Sequence, residues 1–232
     1  MSHVYLIPSF ISDNAMNSIP EYVIRNIRLC QVIFAENIRT VRRYLKALDS
    51  GIQIDDFEWH EMHKTEESLQ ETFSSAIKSK KNIAIISEAG CPGVADPGQL
   101  LILLAHKSGC VVHPLVGPSS ILLALMASGM NGQQFEFVGY LPIDQQERQK
   151  KIKELESQSA KYHSTKIFIE TPYRNEALWN ALVNNCRSET LLCIASDLTG
   201  PNERIHTKTV SLWQKEKPVF EKTPVVFLLY AG

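Results

Sequence analysis

Four acidic residues stand at the ends of apolar runs that have the composition of β-strands. Glu36 follows "QVIFA", Glu88 follows "NIAIIS", Glu170 closes "TKIFIE" and Asp197 follows "TLLCIAS". Active-site groups of open α/β sheets collect at strand ends, and a carboxylate there can accept a proton from a weak nucleophile such as a hydroxyl group. An acid at such a position also stabilises the start of a following helix, so each residue has a purely structural interpretation as well.

An arginine closely follows two of these acids. Arg39 lies in "AENIR" and Arg174 lies in "IETPYR". A guanidinium group can hold a phosphate or orient a carboxylate, although exposed arginines with neither role are equally common. We therefore favour Glu36, Arg39 and Glu170 as candidate catalytic residues.

The stretch "SEAGCPGVADPG" places three glycines and two prolines directly after an apolar run. Gly90 and Gly93 permit backbone angles that a Cβ atom would forbid, while Pro92 restricts the chain. We expect Asp96 to cap the following helix, with Pro97 at its first position. The spacing matches neither G-x-G-x-x-G nor G-x-x-x-x-G-K-[ST], so a neutral or cationic ligand suits this loop better than a triphosphate.

The segment "PLVGPSS" repeats this design after the next predicted strand. It has a Gly-Pro turn and a helix that opens on Ser119 and Ser120. If the two strands are neighbours, the two loops line one pocket. Each loop is equally well explained as a tight turn between a strand and a helix, so the pattern leaves both interpretations open.

Short β-rich runs alternate with helical patterns through the first half of the chain. The predicted strands are 3–8, 31–36, 82–87, 110–115 and 135–139, and the predicted helices are 20–29, 38–48, 65–79, 97–107 and 118–128. This alternation indicates βαβ units and a mostly parallel sheet, and therefore an α/β fold.

Polarity rises sharply after residue 142, where a charged helix begins. We place a boundary there, between an N-terminal α/β domain over 1–142 and a C-terminal domain over 143–232. The second domain has strands at "TKIFIE", "TLLCIAS", "HTKTVSLW" and "TPVVFLLY" but only one further helix, near 174–186. Successive strands without helices between them pair antiparallel, so we expect a mixed sheet there.

The charges nearly cancel, because 24 Lys and Arg residues oppose 25 Asp and Glu residues and the net charge is -1. No overall field therefore attracts nucleic acid, and a polyanion needs a local basic patch. The sequence has two candidate patches, and either could equally be a solvated helix face. The first consists of Arg25, Arg28, Arg39, Arg42, Arg43 and Lys46, and the second consists of Arg148, Lys150, Lys151 and Lys153.

Other classes of protein find little support in the sequence. The apolar runs are too short for a membrane span and the first residues lack the pattern of a signal peptide, so we expect a cytoplasmic protein. Five cysteines without a C-x-x-C pair argue against a disulfide framework and a zinc site. His60 and His63 lack a third ligand nearby, so no metal site is predicted.

Six segments, in their order and spacing, carry a resemblance to a known family. They are "VYLIPSFI", "AENIRTVRRYL", "SEAGCPGVADPG", "PLVGPSS", "FVGYLP" and "FIETPYR". Together they resemble the tetrapyrrole methylase superfamily, and within it the branch of ribosomal RNA small subunit methyltransferase I. The resemblance extends to the closing "TPVVFLLYAG" and so covers nearly the whole chain.

The resemblance implies S-adenosylmethionine as methyl donor, bound in a cleft between two α/β domains of a protein that is usually a homodimer. The product in this branch is a 2′-O-methylated cytidine in small-subunit ribosomal RNA. By analogy with the superfamily, the donor-binding residues are Pro8, Ser9, Gly90, Cys91, Pro92, Val94, Ser119, Ser120, Tyr140, Leu141, Ala195 and Pro224.

The chain departs from the branch pattern at several charged positions. Asn37 stands where the branch has Asp, Ser196 and Asp197 stand where it has an Arg-Glu pair, and Gly200 stands where it has Lys. Two alternatives therefore remain open. One is methylation of a tetrapyrrole or another small acceptor, and the other is a ribosome-associated module that binds the cofactor without turnover.

Overall fold

The computed structural model describes residues 1–13, 15–62, 66–96, 98–220 and 222–232. They form two compact units, Met1–Ser119 and Ser120–Gly232. Each unit contains one five-stranded sheet. The α/β class predicted from the alternating pattern is therefore confirmed.

The sheet of the first unit is parallel throughout. Its strands are β1 (His3–Ile7), β2 (Val32–Ala35), β3 (Glu58–Glu61), β4 (Ile83–Ile86) and β5 (Val111–Pro114). Their order is β3-β2-β4-β1-β5, with every pair parallel. All residues of β2 and β4 are buried, as expected for parallel strands that helices cover on both faces.

Helices cover the two faces of this sheet. They are α1 (Tyr22–Ile27), α2 (Ile38–Leu48), α3 (Glu66–Lys78) and α4 (Gln99–Lys107). One core cluster joins the strands to α1 and α2, and a second joins them to α3 and α4. On α2, Val41, Tyr44 and Leu45 point into the core, so the arginines of this helix remain on its outer side.

The second unit has a mixed sheet. Its strands are β6 (Phe135–Tyr140), β7 (Thr165–Glu170), β8 (Leu191–Ser196), β9 (Arg204–Thr209) and β10 (Val225–Tyr230), and its helices are α5 (Ser120–Ser128), α6 (Gln145–Tyr162), α7 (Asn175–Asn185) and α8 (Val210–Trp213). The order is β6-β7-β10-β8-β9, in which β6 and β7 are parallel and the other pairs are antiparallel. The expectation of antiparallel pairing in the second half is confirmed.

Two elements differ from the sequence prediction. Strand β3 was not expected, because its sequence "EWHE" is short and polar, as an edge strand can be. The run "HTKTVSLW" was expected to be one strand, but it changes to helix α8 at Val210. The hydroxyl of Thr209 accepts a hydrogen bond from the amide of Leu212, and this cap starts the helix.

The first compact unit ends earlier than the boundary that we placed near residue 142. Strand β6 pairs with β7, and α5 packs against β9 and β10, so both elements lie in the second unit. Their sequences continue the strand-helix alternation of the first half, which is why the pattern assigned them to it. Among the described residues, no helix has both the length and the apolar character that a membrane span requires.

Candidate functional site

Two loops at the carboxyl edge of the first sheet are joined by backbone hydrogen bonds. The amide of Ser9, just after β1, donates to the carbonyl of Gly90 at 2.8 Å, and the amide of Gly90 donates back to the carbonyl of Ser9 at 3.2 Å. The Ser9 hydroxyl donates to the carbonyl of Ser87 at 2.8 Å. Gly90 has a φ of +74°, which an L side chain rarely adopts, so glycine allows this pairing.

A third loop, after β5, closes on the same point. The Cys91 thiol lies 3.4 Å from the carbonyl oxygen of Pro118. A Cβ atom on Gly117 would lie 2.1 Å from Cβ of Pro8, so only glycine allows this approach. The loops after β4 and β5 thus come together although their strands are not neighbours. Strand β1 lies between β4 and β5, so the loop after β1 also belongs to the cluster. We call this set, residues 8–9, 90–91 and 117–118, the loop cluster.

Asp96 stabilises the loop itself and does not cap the following helix, so our expectation for this residue was wrong. Its Oδ1 atom accepts hydrogen bonds from the amides of Gly93 and Gly98, both at 2.8 Å. Helix α4 begins at Gln99, and its N-cap residue is Gly98, which has no side chain to cap the helix. The carboxylate is therefore committed inside the loop, and Pro97 lies outside the described residues.

Cys91 is not an activated nucleophile. Burial, and secondarily the negative charge of Asp96, raise the pKa of its thiol above the usual value of 9.0. The thiol is therefore protonated at neutral pH, whereas a nucleophilic cysteine needs a lowered pKa. Within the loop cluster, Cys91 acts as a small contact residue.

The acids after β2 and β4 are linked to each other. Glu36 Oε2 accepts a hydrogen bond from the amide of Glu88 at 2.9 Å, and Glu88 Oε1 accepts one from the hydroxyl of Thr40 at 3.1 Å. Glu36 is half-buried and Glu88 is exposed. Arg39, on the first turn of α2, is exposed and makes no ion pair among the described residues. Sequence reasoning did not single out Thr40.

Glu170 is held in a buried ion pair. Its side chain is 2% exposed, and its Oε1 atom accepts hydrogen bonds from Arg174 at 2.6 and 2.9 Å and from the amide of Thr171 at 2.7 Å. A carboxylate with these three donors has its charge already compensated. This geometry suits a positioning role at the end of β7 better than proton transfer.

The predicted site residues of the second unit gather at one edge of its sheet. Tyr140 pairs with Ile169, and Glu170 and Ser196 both lie opposite Val225, the first residue of β10. The ends of β6, β7 and β8 therefore lie beside the start of β10, and this line of strand ends includes Tyr140 and Pro224. Leu141 and Ala195 also belong here, but both residues are buried, and Ala195 pairs with a neighbouring strand on each side.

The remaining predicted donor-binding residues vary in exposure. Pro92 is buried and Val94 is half exposed. Ser119 ends the first unit beside Pro118, and Ser120 begins α5 in the second unit.

The departures from the branch pattern have local structural roles. Asn37 caps α2, since its Oδ1 atom accepts a hydrogen bond from the amide of Thr40 at 3.0 Å. Asp197 accepts one from the amide of Asn202 at 2.9 Å. A Cβ atom on Gly200 would lie 2.2 Å from the Asp197 carboxylate. The loop after β8 is thus built around Asp197, and Gly200 is the residue that fits beside it.

Two of the six residues of the first basic patch form ion pairs in the described structure, and a third is held by backbone carbonyls. Arg28 pairs with Asp49, and Arg42 pairs with Asp55 at 2.5 Å. Lys46 donates to the backbone carbonyls of residues 50 and 52. In the second patch, Lys151 pairs with Glu154 at 3.2 Å.

Only one of the two histidines of the sequence analysis lies within the described residues. His60 lies 2.8 Å from Glu58 Oε1, and His63 lies outside the described residues. Within the described ranges, no group of three or more His, Cys, Asp and Glu side chains has the geometry of a metal site.

A cavity of about 350 Å³, which the sequence did not predict, lies beside the loop cluster. It is bounded by the loop after β1, the outer face of α2 and the start of the loop after β4. Ser9 belongs both to this cavity and to the loop cluster. The shared residue places the cavity next to the loops that the resemblance assigns to the methyl donor.

Comparison with known proteins agrees with this architecture. No family model matches the chain. Ribosomal RNA small subunit methyltransferase I of Bacillus subtilis is 31% identical over 211 residues, which cover 91% of this chain and 68% of that protein. The protein of the same name from Halalkalibacterium halodurans is 31% identical over 151 residues, which are 65% of this chain and half of that protein.

The fold is shared with a solved structure of lower sequence similarity. Uroporphyrin-III C-methyl transferase from Thermus thermophilus, complexed with S-adenyl homocysteine, superposes with a TM-score of 0.59 at 16% identity, over 99% of this chain and 97% of that chain. The resemblance seen in the sequence is thereby confirmed. With the Bacillus subtilis protein matched over two thirds of its own length, the chain belongs to the ribosomal RNA small subunit methyltransferase I family.

Proposed function

We propose that this protein transfers a methyl group from S-adenosylmethionine to the ribose 2′-oxygen of a cytidine in small-subunit ribosomal RNA. The observation that carries the proposal is the loop cluster in a chain that belongs to this family. In the cluster, contacts at Ser9, Gly90 and Pro118 join the loops that follow β1, β4 and β5. We also propose that the protein acts as a homodimer in the cytoplasm, which sedimentation and cell fractionation can test.

The loop cluster suits a sulfonium donor. S-adenosylmethionine carries an adenosine and an amino-acid arm but no phosphate, so it needs backbone donors and acceptors, small residues and an apolar wall. Cys91 and Gly117 are small residues that are partly exposed, whereas Gly90 is buried and its amide and carbonyl are paired with Ser9. The cluster itself contains no lysine or arginine, in agreement with a ligand that lacks phosphate.

The donor, when bound, supplies a methyl group on a positively charged sulfur, and the protein must align the acceptor oxygen with it. Alignment alone can supply effective molarities of about 10⁵ to 10⁸ M for well-oriented groups. No covalent enzyme intermediate is required, in keeping with the raised pKa of the Cys91 thiol.

Glu36 is the candidate that best fits the removal of the ribose proton. The amide of Glu88 fixes its Oε2 atom, while its Oε1 atom has no hydrogen-bond partner among the described residues. Oε1 can accept the hydroxyl proton directly or through a water molecule, an effect worth about 10²- to 10⁴-fold in rate. We assign Glu170 to positioning and Arg39 to contact with the acceptor.

Calorimetric titration with S-adenosylmethionine and S-adenosylhomocysteine tests donor binding. In Gly90→Val the added Cβ atom would lie 3.5 Å from Ile11 Cγ2 and 3.7 Å from the Pro118 carbonyl oxygen, and the two further methyl groups would press on these neighbours. The matched control is Gly109→Val, because Gly109 has a similar φ of +69° but nothing within 4 Å of its Cβ position.

We expect the affinity for the donor to fall at least tenfold in Gly90→Val and to change less than twofold in Gly109→Val. Transfer of a labelled methyl group to unmodified small-subunit RNA, followed by mass spectrometry of the nucleosides, then identifies the product. Equal effects of both substitutions would contradict the donor site. Donor binding with label only in a tetrapyrrole would contradict the acceptor.

A further inference from the structure

The cavity beside the loop cluster has the size and the walls of a nucleoside site. Its volume of about 350 Å³ is at the lower end of the range of about 300–1,000 Å³ that small-molecule pockets have. Phe10, Ile11 and Ala47 form apolar walls, and Ser12 and Thr40 contribute hydroxyl groups. Apolar walls with a few polar groups suit a base and its ribose.

One cation that lines this cavity has no ion-pair partner among the described residues. Arg43 is exposed and makes no ion pair among the residues that the structure describes. Its neighbour Arg42 differs, since it pairs with Asp55 and stacks over the ring of Trp59 at 5.7 Å. Arg39 lies one helical turn before Arg43 and likewise makes no ion pair in the described part of the chain.

Arg39 and Arg43, which have no ion pair among the described residues, form a short cationic row on α2. Residues four positions apart lie on the same face of a helix, so Arg39 lies next to Arg43, and of the two only Arg43 lines the cavity. Arginine binds phosphate through two parallel N–H donors, and phosphate contacts position a nucleic acid without reading its sequence. A phosphate on the ligand would give these guanidinium groups an anionic partner that the described part of the chain does not provide.

We infer that this cavity receives one nucleotide of an RNA strand, with Arg43 binding a phosphate next to that nucleotide. The inference rests on the proposed function, since Ser9 joins the cavity to the loops proposed for the methyl donor. Glu88 and Asp13 also line the cavity and repel anions, phosphate included, so Arg43 must outweigh them at the point of contact. One nucleotide brings a single phosphate for Arg43 to bind, whereas a tetrapyrrole brings several carboxylates, and the cavity therefore suits the nucleotide better.

Binding of small-subunit ribosomal RNA at several salt concentrations tests the inference directly. Arg43→Gln removes the phosphate contact, Arg43→Lys keeps the charge, and Arg42→Gln is the matched control for loss of a paired arginine in the same helix. Loss of one phosphate contact lowers the slope of log affinity against log salt by about 0.7 to 0.9. We expect Arg43→Gln to bind RNA about five- to tenfold more weakly at low salt with this smaller slope.

The controls separate a phosphate contact from a general loss of structure. Arg43→Lys should keep the wild-type salt slope, and Arg42→Gln should bind within twofold of wild type. A steric test is Ala47→Trp, which would fill the cavity from α2 and should weaken RNA binding about tenfold or more. None of these changes should alter the affinity for S-adenosylmethionine, because the substituted side chains lie outside the loop cluster.

The results also separate this inference from the proposed function. Equal RNA binding by Arg43→Gln and Arg42→Gln, or wild-type RNA binding by Ala47→Trp, would overturn the assignment of the cavity. Absence of RNA binding by the wild-type protein would overturn it as well. Arg43-dependent RNA binding without any methylated product would support the cavity and contradict the proposed reaction.

Discussion

The buried ion pair between Glu170 and Arg174 predicts an asymmetric response to mutation. The Glu170 side chain is 2% exposed, whereas that of Arg174 is 28% exposed. Arg174→Met leaves a buried carboxylate with only the amide of Thr171 as donor, which should cost about 3 kcal/mol of unfolding free energy. Glu170→Gln leaves an arginine that water can reach, and it should cost about 1 to 2 kcal/mol.

The double variant gives the coupling between the two side chains. It contains no uncompensated charge, so its cost should be smaller than the combined costs of the single variants, with a coupling of about 2 kcal/mol. The matched control is Lys151→Met, which breaks a more exposed pair with Glu154 and should cost less than about 0.5 kcal/mol.

Urea unfolding followed by tryptophan fluorescence measures these changes. Trp179 and Trp213 are buried in the second unit, as is the ion pair, and a Trp59→Phe background removes the signal of the first unit. Equal costs for the two single variants, or costs that simply add in the double variant, would refute the argument. A large loss of turnover in Glu170→Gln with wild-type stability would instead make Glu170 a catalytic residue.

Two further predictions concern catalysis and alkaline stability. Glu36→Gln should leave the affinity for S-adenosylmethionine within twofold and lower turnover about 10²-fold or more in a single-turnover assay; unchanged turnover would remove Glu36 from the mechanism. Burial raises the pKa of the Cys30 and Cys186 thiols from 9.0 to about 12. The unfolded chain therefore loses these protons before the folded protein does, so the unfolding free energy is at its full value below pH 9 and falls as the pH rises towards 12. Each thiol should lower the unfolding free energy by about 1 kcal/mol between pH 7 and pH 10. In urea unfolding over this range, Cys30→Ala should reduce the pH dependence of the first unit, and Cys186→Ala should reduce that of the second. An unchanged pH dependence would contradict this assignment.

The sequence predicted the fold class because hydrophobic periodicity is a local property. The buried runs of β2 and β4 and the helix after each of them were visible without any tertiary information. The order of the strands was not, because nothing in the sequence of β1 indicates that it inserts between β4 and β5. The edge strand β3 was missed because exposure on one side removes the apolar signal.

The candidate site was predicted less completely than the fold. The glycines of the loop cluster were evident, since Gly90 and Gly117 stand in turns where a Cβ atom would be excluded or strained. The roles of Asp96 and Glu170 depended on partners that only folding brings near. Arg43 looked like any other basic residue of α2 until the structure showed that Arg42 is paired, whereas Arg43 has no ion pair within the described ranges.

The position of β1 between β4 and β5 also has a consequence for the order of events during synthesis. Strand β1 obtains its partners only when Ile83 and Val111, far along the chain, have been made. At about 5 to 20 residues per second, this delay is on the order of ten seconds, during which both edges of an apolar strand remain unpaired. The nascent chain is therefore exposed to aggregation through β1 in this interval, and slower elongation before residue 111 would prolong the risk.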